Sequence, residues 1–134
     1  MDSSPKIAKK HLIIFTRYPQ PGKTKTRLIP ALGVEGATNL QRQMTEFTLS
    51  KVKKFQESAA ISFEIRFTGG NLPLMQNWLG TELNYLLQGE GDLGKRMENS
   101  FFSAFNKGAQ EVVIIGIDCP NLSAEVLAQA FEKI

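Results

Sequence analysis

One cysteine and one histidine are all that this 134-residue sequence offers as soft or imidazole ligands. The lone thiol, Cys119, excludes an internal disulfide and suits a reducing cytoplasm, where the chain is expected to reside. The same scarcity excludes a zinc site built from several thiolates and imidazoles. No apolar run approaches the roughly eighteen residues of a membrane span, so no membrane partner is expected. The opening MDSSPKIAKK lacks the apolar stretch of a secretion signal. Internal repeats and low-complexity linkers are absent as well. Acidic residues are missing from one region: residues 3–34 hold seven of the sixteen cations and no carboxylate.

What is present fits a single domain spanning residues 1–134, with residues 1–10 read as a flexible N-terminal arm. The formal charge of +3 hides the asymmetry, because the remaining residues carry nine cations and all thirteen acids, a sum of −4. A cationic N-terminal field attracts phosphates. A nucleic-acid surface would spread its charge over a face and add exposed aromatics. Only Tyr18 lies near these cations, so no nucleic acid is expected as a partner.

Four β-branched and aromatic runs read as strands: HLIIFT (11–16), ISFEIRFT (61–68), NYLLQ (84–88) and EVVIIGID (111–118). The first and last are nearly continuous in apolar residues, as in strands buried on both faces of a parallel sheet. ISFEIRFT alternates and is expected nearer an edge. His11, at the start of HLIIFT, is expected at the surface. Helices are expected over 35–57 and 93–107, with a short one around Pro73 and a last one from Ser123. Leu40, Met44, Phe47 and Phe55 mark the apolar face of the first, with Gln41, Gln43 and Glu46 outside. Leu93, Met97, Phe101 and Phe105 mark that of the second, and Asp92 stands at its N-cap. These Met and Phe stripes read as core and need no cofactor. Strands alternating with helices predict an α/β domain with a mainly parallel sheet. Four strands make a small sheet whose far edge invites a partner, a homo-oligomer included.

The stretch YPQPGKTKTRL (18–28) contains Gly-Lys-Thr and resembles the second half of a phosphate-binding P-loop. The first glycine of that pattern would fall on Arg17. Pro19 and Pro21 remove backbone donors that such a cradle needs, and Pro30 interrupts a helix started at Thr24. The P-loop reading is therefore rejected. A stiff loop remains, projecting Arg17, Lys23, Lys25 and Arg27 from the carboxyl end of a buried strand, where open α/β sheets bind ligands. Arginine forks and lysine point charges can hold phosphate without backbone help.

Three blocks in order resemble one family: F-T-R-Y-P-Q-P-G-K-T-K-T-R-L-I-P-A-L-G (15–33), Q-G-E-G-D-L-G-K-R-M (88–97) and G-I-D-C-P-N-L (116–122). They are similar to a glycosyltransferase-like family of the nucleotide-diphospho-sugar transferase superfamily. Some of its members bear the name arsenosugar-biosynthesis glycosyltransferase and others have no known function. The resemblance implies a three-layer sandwich of GT-A, Rossmann-like type with strand order 3-2-1-4. It also implies a divalent Mg²⁺ or Mn²⁺ and a nucleotide-diphospho-sugar or nucleotide partner. Members of that family continue through a D-G-G-Y-Y-L-I-G-like block with no counterpart here, so this chain is expected to correspond to a shortened member.

On this resemblance, Lys25 and Arg27 are the first candidates for phosphate contacts, followed by Arg17 and Lys23. Asp118, a hard oxygen donor at a strand end, is the candidate metal ligand; it could equally cap the turn to Pro120. Gly91 and Asp92 open the helix after Q-G-E-G and offer N–H groups to an anion, though Asp92 serves as cap in either case. Arg96, one turn on, is a further phosphate candidate. Cys119 has no neighbouring base and reads as a packing residue. Three functions are compatible with these residues. Glycosyl transfer from a nucleotide-diphospho-sugar leads. Nucleotidyl transfer follows, because K-T-K-T-R-L-x-P-x-L also resembles phospholactate guanylyltransferases. The third is a non-catalytic nucleotide-binding remnant that needs a partner.

Overall fold

In the computed structural model, which describes residues 7–134, the apolar runs become four strands separated by helices. The order is β1 (Lys10–Arg17), α1 (Ile29–Ser58), β2 (Ile61–Thr68), α2 (Leu72–Leu79), β3 (Tyr85–Leu87), α3 (Leu93–Asn106), β4 (Glu111–Ile115) and α4 (Ala124–Glu132). All pairings are parallel and the sheet runs β3-β2-β1-β4, the order the resemblance implies. β1 pairs with β4 from Lys10↔Glu111 only as far as Ile14↔Ile115. The ends of both chains then diverge, opening a gap above the sheet between Thr16–Arg17 and Gly116–Asp118.

Alternation along the strands divides the core into two layers. Leu12, Ile14, Ile65 and Phe67 face α1, α2 and α4 through Leu49, Val52, Phe55, Met75, Leu127 and Phe131. Ile13, Phe15 and Val112 face α3 through Ala104, with Met97 and Phe101 at the margin. The domain is thus a three-layer α/β sandwich. The caps act as the sequence predicts: Asp92 accepts from Lys95 N at 2.8 Å, and Ser123 accepts from Val126 N at 3.2 Å. Leu122 and Leu127 are both buried, as a staple across that helix start requires. Residues 71–80 hold α2, capped by Asn71.

Five expectations are corrected. The α3 stripe is core only in part: Met97 and Phe101 pack at the margin of the second layer, while Leu93 and Phe105 are 55% and 48% exposed. Ser100 and Ala104 are the buried residues of this helix, because small side chains let it lie close on the sheet and turn the aromatics outward. In α1 the buried face is Ala37, Thr38, Gln41, Thr45, Thr48, Leu49, Val52 and Phe55, leaving Phe47 exposed. That helix also begins earlier than residue 35. A first turn at Ile29 is separated from the long run by Gly33, whose φ of 75° is available to glycine at little cost.

The last two corrections concern β2 and its neighbour. β2 is interior, and His11 is buried within β1. The polar face of β2 is paired internally instead of solvated. His11 Nε2 donates to Glu64 Oε1 at 2.6 Å, and its Nδ1 lies 2.7 Å from Ser62 Oγ. Arg66 donates through Nε to the other Glu64 oxygen and through Nη1 to Leu87 O. Burial pushes the Glu64 carboxyl up, but bonding to His11 and the charge of Arg66 outweigh this and hold it below its usual 4.5.

Ala8 N donates to Ser62 Oγ, and Lys9 O accepts from Gln110 N and Glu111 N, so residues 8–9 are tied to the sheet. Residues 1–6 of the expected arm lie outside the described residues. No helix among the described residues is long and apolar enough to cross a membrane.

Tyr85 gives a test of this packing. Its hydroxyl donates to Gly80 O at 2.6 Å. Burial, aided by the charge of Glu82, pushes it up to about 12 from 10.0. The folded state therefore holds this proton more tightly than the unfolded chain. Its contribution is complete below pH 10 and is lost as pH rises toward 12. Tyr85→Phe is expected to lose about 0.5–1.5 kcal/mol at neutral pH, and the gap to the wild type should close above pH 10. Parallel urea titrations at pH 7 and 11 measure it; a constant gap would count against the ionisation.

Candidate active site

The loop after β1 crosses the gap at the strand ends. Pro19 and Thr24 are buried within it. Thr24 Oγ1 accepts from Gln20 N at 2.8 Å and reaches Tyr18 O at 3.4 Å. The threonine of Gly-Lys-Thr thus closes a turn, and no helix starts at it: a short 3-10 turn, Thr26–Leu28, comes before α1. Beside the loop, the Gly69–Gly70 turn after β2 packs on Tyr18. A Cβ on Gly70 would sit 2.8 Å from the Tyr18 ring, at a backbone φ of 64°.

Lys25 follows in the left-handed region, φ 49° and ψ 47°, the sole non-glycine residue with positive φ among those described. This conformation sends its side chain across the gap. Nζ lies 3.2 Å from Asp118 Oδ1, with the lysine side chain 16% and the aspartate 76% exposed. The loop after β1 and the end of β4 therefore meet, 93 residues apart in sequence.

Below this bridge lies an open crevice of about 240 Å³ lined by Arg17, Lys25, Arg96 and Asp118, with Gln41 and Gln88 in its wall. Three cations face one carboxylate, a surplus of two positive charges. Larger concavities of about 560 and 570 Å³, on the outer face of α3 and between α1 and Pro120, are lined mainly by apolar side chains. They lack this convergence of charge.

The remaining predicted residues stand apart from the lining. Lys23 is exposed in the turn, and Arg27 is exposed in a short 3-10 turn, Thr26–Leu28. Gly91 and Asp92 are exposed at the start of α3, where Asp92 is engaged as the cap. Cys119 is half-buried against the core.

Two buried glutamines complete the site. Gln41 Nε2 donates to Arg17 O at 2.9 Å and Thr16 Oγ1 at 3.2 Å. Gln88 Nε2 donates to Thr16 O at 3.0 Å and Arg66 O at 3.1 Å, while its Oε1 accepts from Arg96 Nη1 at 2.5 Å. The end of β1 is held from both faces of the sheet. Sequence reading places Gln41 outside; its position among Ala37, Thr38 and Thr45 at helical spacing was the available signal.

The pattern of a bacterial family described as "Uncharacterized protein conserved in bacteria (DUF2064)" matches residues 51–134, more than half of the chain. The chain belongs to that family. The DUF2064 match takes in the Gln88–Met97 block and Asp118 and leaves the Arg17–Arg27 loop outside it. No curated protein matches. A solved structure from Desulfovibrio desulfuricans G20, provisionally named a nucleotide-diphospho-sugar transferase, superposes with a TM-score of 0.85 at 29% identity. The match covers 95% of this chain and 55% of that one, so the DUF2064 chain spans about half the length of its structural relative.

Proposed function

We propose that the crevice binds the diphosphate of a nucleotide-diphospho-sugar, and that the protein serves glycosyl transfer from that donor. The observation that carries this reading is the Lys25–Asp118 contact, which brings a cationic loop and a carboxylate together over a gap at the carboxyl ends of β1 and β4. The name of the Desulfovibrio relative supports it. At ~30 Å³ per water, a crevice of 240 Å³ holds about eight waters' worth of ligand. That suits linked phosphoryl groups, with the base and sugar extending beyond it. Lys25 and Arg17 neutralise the ligand's charge, and such stabilisation matters most when the diphosphate departs.

Asp118 is the residue that would hold a divalent metal. Among the described residues no three His, Cys, Asp or Glu side chains cluster as a cation cage. One exposed hard oxygen nevertheless fits Mg²⁺ or Mn²⁺, which take their other ligands from phosphate oxygens and water. Bound there, the metal would neutralise developing charge on the diphosphate. Asp118→Asn is expected to abolish the enhancement of nucleoside diphosphate affinity by Mn²⁺. Its stability should change by only about 0–1 kcal/mol, the worth of an exposed ion pair. An undiminished Mn²⁺ response in calorimetry would return Asp118 to the role of turn cap.

The function is tested by thermal shift across nucleoside diphosphates and their sugar conjugates, followed by product analysis. Release of a nucleoside diphosphate from a sugar donor supports glycosyl transfer. Release of pyrophosphate from a nucleoside triphosphate would replace it with nucleotidyl transfer, and no stabilisation by any nucleotide would end both.

A further inference from the structure

Arg96 is held at one end and unpartnered at the other. Its Nη1 is fixed by Gln88 Oε1, and its Nε is buried with no hydrogen-bond partner among the described residues. In a guanidinium, Nε–H and one Nη2–H point the same way and form a pair of parallel donors. Anchoring through Nη1 leaves that pair unused, and the residue lines the same cationic crevice as Lys25. A buried donor is costly to leave without a partner, and here the side chain borders a crevice with a surplus of positive charge.

Gln88 explains why the fork stays in place. Its amide nitrogen meets the carbonyl oxygens of Thr16 and Arg66, so its oxygen has to face Arg96; the flipped amide would set oxygen against oxygen. Both carbonyls belong to central strands of the sheet, β1 and β2. The sheet thus fixes the glutamine, and the glutamine fixes the arginine.

We propose that Arg96 is a phosphate-binding residue that takes two oxygens of one phosphoryl group on its Nε/Nη2 edge, and that Gln88 is the positioning residue that holds this edge toward the crevice. This assignment rests on the diphosphate reading of the crevice. It adds a bidentate contact from α3 to the point charge of Lys25, so the two linked phosphoryl groups are held by two different elements of the fold.

The experiment is titration of the full chain with inorganic pyrophosphate, free of divalent metal and at low salt, by calorimetry and by NMR of the arginine Nε–H groups. Pyrophosphate should move the Arg96 Nε–H resonance downfield. Arg96→Ala should lower affinity at least tenfold, and Arg96→Lys should recover little of it, because an ammonium cannot reproduce the fork. Gln88→Met should weaken binding several-fold and broaden the Arg96 Nε–H signal, a change that a merely structural glutamine would not cause. Should Arg96→Ala fold poorly, the wild-type resonance still decides. Pyrophosphate binding that Lys25→Ala weakens, with Arg96 variants unaffected and its resonance unmoved, would overturn this proposal and leave the crevice reading intact. Absence of binding, or binding indifferent to Lys25, would overturn both.

Discussion

Glu64→Leu is expected to cost about 3–5 kcal/mol of folding stability, the range for removing one member of a buried charge network. The loss follows from what the change leaves behind. Arg66 keeps a buried guanidinium whose Nη2 already lacks a partner, and His11 loses the acceptor for its Nε2 proton. Urea denaturation measures it, and a midpoint near that of the wild type would show that water or rearrangement compensates. Replacing His11, Glu64 and Arg66 together by apolar residues of similar volume should do far less harm. Such triple changes range from neutral to stabilising by about 1–4 kcal/mol, since no charge is stranded.

The same network sets a pH dependence. Because Glu64 is held below 4.5 in the folded state, its contribution is present above that value and is lost as pH falls through the lowered folded value. Acid titration of wild type against Glu64→Gln isolates it: the difference in stability should shrink below pH 4.5.

These residues also mark what sequence could not reveal. The apolar strand runs, the caps at Asp92 and Ser123 and the Leu122–Leu127 pair were legible because each depends on a few neighbouring side chains. So was the cationic loop, whose prolines and missing glycine argue against a P-loop. Alternation in ISFEIRFT was read as the mark of a strand nearer an edge, because Ser, Glu and Arg ordinarily face water. Only the register His11↔Ser62 and Ile13↔Glu64 shows that they satisfy one another inside. Gln41 and Gln88 were hidden for a related reason. Helical spacing could have shown that Gln41 is buried, but the partners of both are backbone groups and side chains on other elements, which composition and periodicity do not encode. The aromatics of α3 misled in the opposite direction. Their spacing was helical, but the sheet accepted the small face of Ser100 and Ala104.

For the candidate site, Lys25→Ala is expected to weaken nucleoside diphosphate binding by about 1.5–3 kcal/mol, the worth of a charged hydrogen bond, or about 10- to 150-fold. Lys25→Gly separates charge from conformation. At φ 49° a side chain is strained, by about 1–2 kcal/mol for an L-residue in the left-handed region. Glycine relieves that strain, so the glycine variant should be more stable than the alanine variant, yet bind no better. Calorimetry paired with thermal melts reads both quantities on the same samples. The wild-type affinity should also fall with added salt, more steeply than that of either variant, because a charge that is only 16% exposed yet open to the crevice is still partly screened. If the glycine variant bound like the wild type, the loop's backbone would be holding the phosphates and the ammonium would be idle. If both variants bound like the wild type, the bridge from Lys25 to Asp118 would be a surface ion pair with no ligand beneath it.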